Sequence, residues 1–123
     1  MQGEFNDLFI NSSKLFYCMP DVNKHNKKEV EESVRLTINN ILNIMDKTRN
    51  YNKDMFYRDY KDFRGSLGDP EVNLEYAKRD LVYGVFSAYS SYLNNIDYFL
   101  ELEGTILALF EICEIFEINY KKF

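Results

Sequence analysis

The sequence has no tryptophan, one histidine (His25), two cysteines (Cys18 and Cys113) and two prolines (Pro20 and Pro70) in 123 residues. Each scarcity removes a class of protein. Two cysteines are too few for a small disulfide scaffold. No signal-peptide pattern opens the chain, so a reducing cytoplasm is the expected compartment. One histidine, set in a polar stretch beside Lys24, gives no triad or metal signature, and no glutamate has a histidine three residues later, as di-metal carboxylate bundles require. The cysteines lie among apolar residues and read as core fillers.

Long apolar runs are missing too. The uncharged stretch from Leu81 to Ile96 is short and rich in Ser, Asn and Tyr, whereas a membrane-spanning helix needs about 20 apolar residues. The one glycine-rich loop, Gly65-Ser66-Leu67-Gly68-Asp69, lacks the Gly-Lys-Ser/Thr ending of a phosphate loop and places a carboxylate where an anion would sit. No catalytic residue, metal site or cofactor is expected.

Basic residues are absent between Arg79 and Lys121, and this absence organises the chain. Residues 1–96 are nearly balanced, with 14 acidic and 13 basic groups, while Asp97, Glu101, Glu103, Glu111, Glu114 and Glu117 supply most of the net charge of −5. At 3.6 residues per turn, Tyr98, Leu102, Thr105, Ile106, Leu109, Ile112, Cys113, Phe116 and Tyr120 share one arc of about 120°, with every acid outside it. The pattern predicts a helix over 97–120. A β-hairpin turning at Gly104 fits only residues 100–103.

Three further segments repeat the helical period. Phe5, Leu8, Phe9, Phe16 and Met19 mark a helix from Glu4 to Met19, closed by Pro20. Asn26 and Glu29 have capping-box spacing ahead of a stripe of Val30, Val34, Ile38, Ile41 and Met45, opposite Glu32, Arg35 and Asp46. Asp69-Pro70-Glu71 reads as a helix start for an inward stripe of Leu74, Ala77, Leu81, Gly84, Val85, Ala88 and Tyr92. Its small members, Ala77, Gly84 and Ala88, predict close approach to the C-terminal helix across a turn at Asn94 and Asn95. Between these, Tyr51, Met55, Phe56, Tyr60 and Phe63 suggest a short helix within 50–64. The expected fold is all-α: one domain spanning 1–123, a compact bundle of four to five helices with a C-terminal helical hairpin as its core.

Composition also narrows function. Lys47, Arg49, Lys53, Arg58, Lys61 and Arg64 run among tyrosines as in single-strand binders, yet Asp46, Asp54, Asp59 and Asp62 offset most of that charge. An acidic chain disfavours nucleic acid and favours a basic protein partner. The leading expectation is a non-enzymatic inhibitor of immunity or antitoxin type that occludes a basic, nuclease-like toxin. Its contact residues would be Asp97, Glu101, Glu103, Leu107, Phe110, Glu111, Glu114 and Glu117, with carboxylates steering encounter and apolar groups anchoring. Length and helix count also suit a viral Bcl-2-like bundle offering a groove to a partner helix, although the Asn-Trp-Gly-Arg signature is absent. A third possibility is a small enzyme using Glu71 and Glu75, four apart on one helix face, as acid and base.

Overall fold

The computed structural model describes residues 1–21, 25–48 and 73–120. Those residues form four helices and no strand: α1 (Gln2–Tyr17), α2 (Lys27–Thr48), α3 (Leu74–Leu93) and α4 (Phe99–Ile115). They pack as two hairpins laid side by side. The α3–α4 contact is the most extensive, α1 pairs with α2, and the two hairpins join where α2 meets α4 and α1 meets α3. The all-α bundle and its C-terminal hairpin are therefore as expected, and Gly104 lies within a helix rather than at a strand turn. The aromatic segment 50–64, the loop 65–68 and the Asp69-Pro70-Glu71 start fall outside the described residues.

Small residues set the spacing of the central hairpin. A Cβ added at Gly84 would lie 2.1 Å from Thr105 Oγ1 and 3.2 Å from Thr105 Cβ, so only glycine lets α3 come this close to α4. Thr105 is fully buried and its hydroxyl donates to the Glu101 carbonyl at 2.7 Å, which satisfies it within its own helix. Thr37 solves the same problem on α2 by donating to the Ser33 carbonyl at 2.7 Å. Around this seam the predicted stripe residues Val30, Val34, Ile38, Ile41 and Met45 of α2 and Ala77, Leu81, Val85 and Ala88 of α3 are all buried.

The α1–α3 seam is aromatic. Phe5 is completely buried, with ring centroids of Tyr92, Tyr98 and Tyr89 at 4.8, 5.4 and 5.7 Å. Phe9 adds an edge contact to Tyr89 and a tilted one to Phe86. Such offset and edge-on pairs favour their arrangement beyond area burial alone. Polar ties fix the register: Asn11 hydrogen-bonds Asn40, Asn40 donates to the Glu4 carbonyl at 3.2 Å, and Lys47 pairs with the Glu4 carboxylate.

The helix ends differ from expectation in three places, each for a local reason. Asn73 is extended (φ −114°, ψ 125°) and its side chain accepts from Glu75 N and Tyr76 N, so α3 begins at Leu74, later than the Asp69-Pro70 signal implied. Asn26 does not form the capping box, because its side-chain amide donates to the Cys18 carbonyl at 2.9 Å while its buried Oδ1 finds no partner among the described residues. The last helix stops at Ile115 instead of continuing to Tyr120. Glu117 adopts φ 57°, with Ile118 N donating to Cys113 O at 2.7 Å and Glu117 N to Glu114 O at 3.2 Å. That pattern is a Schellman ending, closed by burial of Ile118 beside Cys113. The predicted turn at Asn94 and Asn95 uses the same device: Asn95 has φ 57° and Ile96 N donates to Ser91 O at 2.8 Å.

One buried charge was not foreseen. Lys78 is 8% exposed, donates to the Met19 carbonyl at 2.8 Å, and holds its ammonium 4.5 Å from the centroid of Phe16. It closes the α1 C-terminal end onto α3, replacing water at a carbonyl that α1 leaves open.

Candidate interaction surface

α4 is central, and its surroundings decide which of the expected contact residues reach the surface. Nine of its residues are buried: Phe99, Leu102, Thr105, Ile106, Ala108, Leu109, Phe110, Ile112 and Cys113. Phe110, expected among the contact residues, is 1% exposed and stacks on Tyr120 with ring centroids 4.4 Å apart, so it belongs to the core. Leu107 is half-buried against that core. What remains outward is an arc of Leu100, Glu103, Gly104, Leu107, Glu111 and Glu114, flanked by the exposed Asp97 and Glu117 at either end.

The carboxylates have different surroundings. Asp97 precedes the N-cap residue Tyr98 and accepts from Phe99 N, the first residue of α4, at 3.0 Å. Glu103, Glu111 and Glu114 are each engaged by other groups of the chain. Glu101 stands apart from the outward arc. It is half-buried and turns toward α3, where it lines a shallow groove of about 460 Å³ with Tyr83, Phe86, Ser87, Ser90 and Ser91.

The sequence reading missed the apolar side of that groove. Tyr76, Tyr83 and Phe86 follow one stripe of α3 and are 58%, 74% and 60% exposed. Their spacing of seven and three places them within an arc of about 80°, clear of the small-residue face that meets α4. Beyond the stripe, Leu93, Ile96 and Leu100 form an exposed aliphatic corner where α3 turns into α4. Scattered surface apolar residues need no explanation, but two adjoining groups of this kind do.

Neither cysteine is set up for thiolate chemistry. Burial pushes the Cys113 thiol up to about 12, with Glu31 and Glu114 adding to the shift, and burial likewise raises Cys18. A second groove, about 580 Å³, lies beside Cys18 and is lined by Ser13, Lys14, Tyr17, Glu29 and Ser33. Among the described residues no cluster of His, Cys, Asp or Glu is arranged to hold a metal ion, and no helix is long and apolar enough to cross a membrane. Of the acid–base pair considered above, Glu75 is exposed in the first turn of α3, and Glu71 lies outside the described residues. No protein-family model, curated protein or solved structure matches the chain.

Proposed function

We propose that this protein is a non-enzymatic inhibitor that docks on a basic, nuclease-like toxin and covers the cationic ground where the toxin holds RNA or DNA phosphates. The observation that supports this reading is the corner of Leu93, Ile96 and Leu100, 57%, 60% and 77% exposed, set beside Asp97 at the head of the acidic arc of α4. Desolvated aliphatic anchors supply affinity, and a field of one sign speeds encounter with a basic surface. Steering acts through the summed field, so it does not require that Glu103, Glu111 and Glu114 lack partners inside the chain. Phe110 has no part in the contact, and Glu101 lies off it.

The test is stoichiometric inhibition of the basic nuclease encoded beside this protein. Equimolar protein stops cleavage, and association slows steeply as salt rises. Reversing Glu103, Glu114 and Glu117 to lysine slows association by about tenfold or more, and Leu100→Asp speeds dissociation. Cleavage that continues unchanged in excess protein contradicts the reading.

A further inference from the structure

We draw no further inference here: the strongest candidate, the exposed aromatic stripe of Tyr76, Tyr83 and Phe86 on α3 with the shallow groove that runs from it to Glu101, carries none because nothing in the structure shows what covers it.

Discussion

The two long faces of α3 are built from opposite materials. Toward α4 it presents Ala77, Gly84 and Ala88, and the two backbones close until a single added carbon at Gly84 would strike Thr105. Away from the bundle it presents Tyr76, Tyr83 and Phe86, more than half exposed. A helix that spends its smallest residues on its own hairpin and its largest on solvent has separated the requirements of folding from those of contact. Packing density explains the inner face, since interiors tolerate neither voids nor overlap. On the outer face Phe86 touches Phe9 of α1 and Tyr76 meets the guanidinium of Arg79, yet all three rings stay more than half exposed.

Substitutions at paired positions sharpen this contrast. The largest effect is expected for phenylalanines. Phe110→Ala empties a site buried in the core and should lower unfolding free energy by about 4 kcal/mol in urea denaturation. Phe86→Ala, on the outer stripe, should change it by less than about 0.5 kcal/mol. Equal losses for the two would break the distinction between inner and outer faces. The glycines come next. Gly84→Ala forces Thr105 to move and should cost about 2 kcal/mol, part of it recovered when Thr105→Ala is added. Gly104→Ala meets nothing within 4 Å on the outward side of α4 and should stabilise by about 0.5–1 kcal/mol. The same chemical change thus has opposite signs on the two faces.

The smallest effect concerns the α1–α2 hairpin. The Lys47 ammonium holds the Glu4 carboxyl at about 2, below its ordinary 4.5, with the Glu4 backbone N–H and the chain's amino terminus also donating. Since the folded value is the depressed one, the contribution is fully present above pH 4.5 and is lost as pH falls from 4.5 toward 2. Glu4→Gln should flatten that part of the acid-unfolding curve. Because the pair lies at the surface, added salt should shrink the difference between the two proteins.

Much of the fold is legible because period and side-chain size both carry it. The α2 stripe, the α3–α4 hairpin and its glycine contact all follow from spacing alone. Helix ends are less legible. Asn73 starts α3 because its side chain reaches two backbone N–H groups, and Glu117 ends α4 in a left-handed conformation that ordinarily favours glycine or asparagine. Asn26 has the residue type and spacing of a cap, yet it answers a carbonyl from the preceding helix instead. Lys78 is hidden from a pattern reading because it sits beside the apolar arc of α3, where only the position of Met19 and Phe16 shows that its charge is accommodated.

The candidate surface was harder to read for a different reason. Acidic residues interleaved with apolar ones on α4 suggested a mixed contact face, but α4 is covered on more than one side, and Phe110 goes inward with Phe99 and Ile118. The exposed stripe belongs to α3. Its signal is the spacing of Tyr76, Tyr83 and Phe86, which keeps them clear of the small residues of the inner face.

Hydroxyl-radical footprinting tests most directly the claim that α3 keeps one face for its own fold and leaves the other to solvent. Tyr83 and Phe86 should be oxidised rapidly while Phe5 and Phe110 stay protected. Oxidation of Phe110 as fast as Phe86, or protection of Tyr83 and Phe86, would contradict it.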